Sequence, residues 1–138
     1  MVIYWDSSAL VTLMTRGPNA ARYRAILRES DIVTWWGSYV ECAVTLARHA
    51  REGTAPAQMA ESYRTLQELA ENWLEVASND KLRRAAARTA RLHIIRAGDA
   101  FQLGAAMVAC SDRPDSARFL TEDRRLKQAA DREGFVVD

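Results

Sequence analysis

Short apolar runs alternate with longer amphipathic stretches along this chain, and that alternation limits the fold more than any other feature. Val2 to Trp5 is apolar and aromatic and reads as a buried strand ending at Asp6. Ser7 to Met14 has helical character and stops at Gly17-Pro18, and a second helix is expected over Asn19 to Arg28. Ile32 to Trp36, β-branched and aromatic, is strand two. Ser38 opens a helix to about Glu52, and Gly53 ends it. Thr54 begins another helix, with Met59, Tyr63, Leu66 and Leu69-Ala70 on one face.

Trp73 to Ala77 is a third strand and Asp80 to Leu92 an alanine- and arginine-rich helix. Gly98-Asp99 opens an apolar helix to about Cys110, and Ala117 to Leu120 is strand four. A helix over Glu122 to Asp131, capped by Gly134, and a last strand over Phe135 to Val137 complete the series. Strands separated by helices pair in parallel through right-handed crossovers. The expected fold class is α/β: a three-layer sandwich with a central parallel β-sheet flanked by helices.

Nothing in the sequence divides the chain. Its 138 residues suit one domain, with no repeat, low-complexity segment or linker, so residues 1–138 are expected to form a single domain. Formal net charge is +1, so no global field points to a partner. Lysine occurs only at Lys81 and Lys127, an arginine bias that reads as compositional. Cys42 and Cys110 have no metal-site spacing and fall in apolar helical stretches, where free cysteine packs as a small hydrophobe. No apolar run reaches membrane-spanning length and no basic segment precedes a long apolar one, so the expectation is a soluble, cytoplasmic protein with no membrane partner.

In open parallel sheets, ligands bind beyond the carboxyl ends of the strands. Asp6 follows strand one, and Glu41 lies in the first turn after strand two. Asp99 opens the apolar helix, and Asp123 follows strand four. All four acids could reach one edge of the sheet. Like charges so gathered would force protonation, and a divalent cation removes the conflict. Oxygen-only ligands favour Mg2+ or Mn2+ over zinc, and His49 and His93 share no ligand spacing. Such a site suits phosphodiester hydrolysis. Each acid also has an ordinary helix-start reading: Asp6 and Asp99 as N-caps, Glu41 in a capping box with Ser38, and Asp123 on a helix dipole.

Four segments carry a resemblance. Ile3-Tyr4-Trp5-Asp6-Ser7-Ser8-Ala9-Leu10, Ser38-Tyr39-Val40-Glu41 with Leu46 and Arg48, Arg96-Ala97-Gly98-Asp99-Ala100-Phe101-Gln102-Leu103, and Phe119-Leu120-Thr121-Glu122-Asp123-Arg124-Arg125-Leu126 stand in that order across nearly the whole chain. The set resembles the PIN-domain family, in particular the toxin subunits of VapBC-type toxin–antitoxin modules. The resemblance implies a PIN-like fold and an Mg2+- or Mn2+-dependent endoribonuclease. It implies that Asp6, Glu41, Asp99 and Asp123 are the catalytic and metal-holding residues, with Ser7 and Thr121 supporting them through hydroxyl hydrogen bonds. It also implies a homodimer, an RNA substrate and a cognate antitoxin that covers or enters the acidic cleft. Glu122 adds a fifth acid that stays open as an alternative ligand.

Arg124, beside the proposed site, is the candidate for RNA phosphate. Arg84, Arg88 and Arg91 share helical spacing and read as a solvated face. Trp5, Trp35, Trp36 and Trp73 are expected in the core, as are most of Leu10, Leu13, Met14, Tyr23, Ile26 and Leu27, some of which could line an antitoxin groove. A receiver-like phosphoacceptor would need a lysine after a late strand, and both lysines fall in helices. No G-x-G-x-x-G follows a strand, so a dinucleotide-binding enzyme is a poorer reading still. The remaining alternative is a catalytically silent PIN-like module that binds RNA or protein, against which retention of all four acids argues.

Overall fold

The structure, a computed structural model, describes residues 1–138. The chain runs β1 (Val2–Trp5), α1 (Ser7–Met14), α2 (Ala20–Leu27), β2 (Val33–Trp35), α3 (Ser38–Arg51), α4 (Pro56–Asn72), β3 (Leu74–Val76), α5 (Asp80–Leu92), α6 (Ala97–Ala109), β4 (Ala117–Leu120) and α7 (Arg124–Glu133). All four strands are parallel, in the order β3-β2-β1-β4. β1 pairs along its whole length with β4, from Val2 beside Ala117 to Trp5 beside Leu120.

Alternation along the strands builds the two helical layers. Successive strand residues point to opposite faces. Tyr4 and Phe119 enter a core shared with Leu82, Leu103 and Leu126 of α5, α6 and α7. Their neighbours Trp5 and Leu120 enter a second core with Leu10, Tyr23, Leu46 and Leu66 of α1 to α4. Both faces of β1 are therefore buried, which accounts for its continuous apolar sequence. The expected three-layer α/β sandwich is the observed fold.

Close packing of α5 on α6 depends on Gly104: a Cβ there would stand 2.6 Å from the backbone nitrogen of Ala86. Thr89 fastens the same pair, its hydroxyl donating to the Ala100 carbonyl at 3.1 Å. At the other end of the sheet, β3 is a short, largely exposed edge strand, a form that limits pairing with other chains.

Three sequence expectations shift. Phe135 to Val137 is not a strand; only Val136 bridges to Arg118, after Gly134 turns the chain at φ 103°. The last helix begins at Arg124 because Asp123 is its N-cap, its carboxylate accepting from the Leu126 amide at 2.9 Å. Trp36 is 63% exposed, since it lies one residue past β2 where neither core reaches. Trp5 and Trp73 are buried. Trp35 stacks on Phe101 with ring centroids 4.7 Å apart. No helix is long and apolar enough to cross a membrane.

Candidate active site

The strand order creates a crevice. From β1 the chain winds outward to β2 and β3, then returns to place β4 on the other side of β1. Crossovers therefore leave in opposite directions at the carboxyl ends of β1 and β4, the place where open α/β sheets bind ligands. Asp6 continues β1 into that crevice, its amide bonded to the Leu120 carbonyl at 3.0 Å. Thr121 and Asp123 follow β4 on the other side.

Asp6 is only 3% exposed. Its Oδ2 accepts from the Ser8 hydroxyl at 2.6 Å and the Thr121 hydroxyl at 2.8 Å, and it caps α1 through a longer contact with the Ser8 amide at 3.4 Å. The Ser7 hydroxyl donates to Glu41 Oε2 at 2.9 Å and lies 3.4 Å from Asp6 Oδ1, so it stands between the two carboxylates. Glu41 does not close a capping box. Ser38 is already inside α3, after Gly37, and its hydroxyl meets Thr34 at 2.6 Å and the Gln102 amide at 3.1 Å. Glu41 instead accepts from Gln102 Nε2 at 3.3 Å.

Asp99 sits in the first turn of α6, whose N-cap position is held by Arg96 without a side-chain cap bond. Asp6 and Asp123 thus fill N-cap positions, Asp123 and Asp99 line the crevice, Glu41 caps nothing, and the Arg96 backbone favours the charged form of Asp99. Glu122 lines the crevice with Asp99 and Asp123, but its carboxylate is tied to α2. Asn19 donates to both of its carboxylate oxygens at 3.0 Å, and the Tyr23 hydroxyl donates to Oε1 at 2.6 Å. Arg124 and Arg96 line the crevice beside Asp99 and Asp123.

Burial lifts the Asp6 carboxyl above the ordinary aspartate range, against the lowering effect of its Ser8 and Thr121 hydrogen bonds. Glu41 is also raised, by burial first and by the charge of Asp6, while Ser7 and Gln102 oppose the shift. Asp99 is raised by burial and then by the charges of Asp123 and Asp6, with Arg96 partly offsetting them. These carboxylates therefore feel one another's charge. Burial followed by the same acids also pushes up the Cys42 thiol, which rules it out as a thiolate nucleophile.

Neutral donors cannot remove this repulsion; a cation can. The donor set is oxygen only, as Mg2+ or Mn2+ prefers. No three of the carboxylates stand close enough together to hold one ion between them. That suits Mg2+, which keeps several waters and takes one or two carboxylates plus substrate phosphate.

Two contributors lay outside the sequence-derived set. Gln102 is fully buried, accepts from the Tyr4 hydroxyl at 2.7 Å and joins Glu41 to Ser38. It is the single polar side chain between Ala100 and Ala109, which was a readable signal. Ser8 donates to Asp6 and accepts from the Glu122 amide at 2.9 Å, linking α1 to the loop after β4.

No family model matches the chain, and no curated protein is significantly similar to it in sequence. Two solved structures resemble it over 99% of its length, each with a TM-score of 0.65. One is PAE2754 from Pyrobaculum aerophilum, at 21% identity over 83% of that chain; the other is FitAcB from Neisseria gonorrhoeae, at 17% over 96%. At such identities the likeness shows the fold, a PIN-like three-layer α/β sandwich.

Proposed function

We propose that the protein is a divalent-metal-dependent endoribonuclease and the toxin member of a toxin–antitoxin pair. The observation that supports this reading is that Asp6, Glu41, Asp99 and Asp123, one from each resembling segment, stand toward the switch-point end of a PIN-like sheet, with Asp6 acting on Glu41, and Asp6 and Asp123 on Asp99, through their charge. Their charges repel, Arg96 offsets them only in part at Asp99, and no cationic group bonds Asp6 or Glu41. Asp6, Glu41, Asp99 and Asp123 are the residues that would hold Mg2+ or Mn2+. Held there, such an ion would supply a hydroxide nucleophile near neutral pH, by lowering the pKa of water, and would offset charge on the leaving oxygen.

The chain's own part is orientation. Thr121 and Ser8 fix one Asp6 oxygen, Ser7 fixes Glu41, and Gln102 fixes the other side of Glu41. Pre-set carboxylates need not reorganise as a phosphate arrives. Arg124 and Arg96 offer cationic contacts to that phosphate at the crevice wall.

A protein partner has a surface to use. Trp36, just ahead of α3, and Val40 and Val44, on α3 with Glu41, recur every four residues and are 63%, 62% and 59% exposed. We assign this stripe to the antitoxin, with a second copy of the chain as the competing occupant.

The deciding experiment is incubation of purified, antitoxin-free protein with total cellular RNA in Mg2+, Mn2+ or EDTA, with cut sites mapped by end sequencing. Metal-dependent cuts at few positions, absent from Asp99→Asn, are expected. No cleavage by folded protein in either metal would favour a silent RNA- or protein-binding module.

A further inference from the structure

The crevice does not end at the acids. A trough of about 880 Å3 beside Asp99 and Asp123 continues into one of about 300 Å3, and the two share Ile94, Ile95 and Arg125 as walls. Arg96, Arg124, Arg125 and Arg132 line this path, and none of them forms an ion pair. Arg125 and Arg132, seven residues apart on α7, fall on one helix face about 10 Å apart along the axis. The acids of the path stand at one end only, and Glu122 among them is held by Asn19 and Tyr23.

Unneutralised arginines along a groove are a site for a polyanion. The apolar content of the wall says which kind. Ile94 is 92% exposed at the tip of the α5–α6 loop, where both parts of the trough meet. An unstacked base can cover such a side chain; a duplex keeps its base faces inside the stack. On α3, by contrast, the arginine that continues the Trp36, Val40 and Val44 spacing, Arg48, is paired with Glu52.

We propose that the trough from Arg96 and Arg124 to Arg132 is the binding track for a single-stranded polynucleotide on one side of the scissile bond. The arginines take successive phosphates and Ile94 packs on a base. The placement relative to the cut rests on the nuclease reading; binding itself does not.

The test is fluorescence anisotropy in EDTA, so that nothing is cut, with a labelled single-stranded RNA of about 12 nucleotides and its blunt duplex. Single-strand binding at least about tenfold tighter than duplex binding is expected. Arg125→Glu/Arg132→Glu weakens it about tenfold or more and lowers the salt slope by about 1.4, the share of two phosphates. Arg125→Gln/Arg132→Gln does the same to a smaller degree and guards against misfolding of the charge reversal. Ile94→Ser weakens single-strand binding severalfold and spares the duplex. Arg64→Glu, on exposed α4, changes nothing.

Equal or tighter duplex binding would overturn the proposal. So would a double reversal no weaker than Arg64→Glu, or a poly-glutamate peptide binding as tightly as the RNA, which would point to an acidic protein partner. Wild-type protein that binds single strands this way but never cuts, with Mg2+ or Mn2+, would leave the track standing and remove the nuclease reading. Cleavage that persists with normal binding in the double reversal would remove the track alone.

Discussion

The molecule contains two kinds of buried carboxylate, and the fold treats them in opposite ways. Glu133, at the end of α7, accepts from Arg88 at 3.0 Å and meets His93 Nε2 at 2.7 Å. Burial by itself would raise its pKa, but the His93 and Arg88 hydrogen bonds and charges outweigh that and hold it below the glutamate range. Asp6 and Glu41 are bound as closely, yet every donor on them is neutral: Ser7, Ser8, Thr121 and Gln102. Their pKa values go up. A carboxylate that serves only the fold is given its cation by the fold. Carboxylates left without one are those we propose for a cation from outside.

Asp99 gives the most drastic way to break this contrast. It holds no N-cap position, and Asp99→Asn removes charge while leaving an amide oxygen as acceptor for the Arg96 backbone. Cleavage should fall by more than about a hundredfold, beyond what loss of a supporting residue costs a metal site. In EDTA the variant should melt no lower than wild type, and a few degrees higher if repulsion dominates. The rise in melting temperature that Mn2+ gives wild type should shrink. A variant that melts far below wild type in EDTA would mean that Asp99 holds the fold together.

Gln102 tests whether orientation matters as well as charge. Gln102→Leu keeps the volume near its original value but strands the Tyr4 hydroxyl and removes one donor from Glu41. Stability should drop by about 1–3 kcal/mol, from buried polar groups left unpaired. Mn2+ affinity, read by calorimetry, should weaken by about 10–100-fold, as for other residues that orient metal ligands. An unchanged affinity in a destabilised variant would reduce Gln102 to a core residue.

Glu133→Gln inverts the first test: stability changes and chemistry does not. Arg88 is half exposed, so solvent screening trims the loss to about 1–2 kcal/mol, with cleavage within about twofold. The pH dependence separates the two carboxylate classes. Glu133 has a lowered folded-state pKa, so its stabilisation is present above the unfolded pKa of about 4.3 and is lost as pH falls through the lower folded value. Asp6, Glu41 and Asp99 have raised folded-state values. Their contribution is greatest below the unfolded pKa of about 4 and is lost as pH rises through the folded values. In EDTA, melting temperature should therefore fall as pH rises above that range, less so in Asp99→Asn. Thermal scans in Mn2+ should flatten that decline.

Much of the framework was legible because β1, β4 and α5 are set by local pattern: short, largely apolar runs in strands covered on both faces and a clean apolar stripe in the helix. The acids at strand ends followed from the parallel topology. Trp36 was misjudged because its burial depends on where β2 stops, which tertiary packing decides. Phe135 to Val137 has strand composition but follows a left-handed Gly134 and forms one bridge only. Glu122 could not be sorted from Asp123 by sequence, since its partners Asn19 and Tyr23 lie about a hundred residues away.

Glu122 carries the smallest expected effect and so bounds the site most finely. Its amide already bonds the Ser8 hydroxyl, and its carboxylate, though it lines the crevice, is engaged by Asn19 and Tyr23 at the start of α2. Glu122→Gln keeps an acceptor for Tyr23 and loses one of the oxygens facing Asn19. Cleavage and Mn2+ affinity should both stay within about twofold, the scale of a surface substitution. Glu122→Ala, which frees the loop after β4, should cost more through Thr121 and Asp123, and Asn19→Ala should reproduce part of that loss without adding fully to it, as coupled neighbours do. If Glu122→Gln alone lowered Mn2+ affinity tenfold, the fifth acid would be a ligand in solution, and the boundary between the fold-serving and cation-seeking carboxylates would move by one residue.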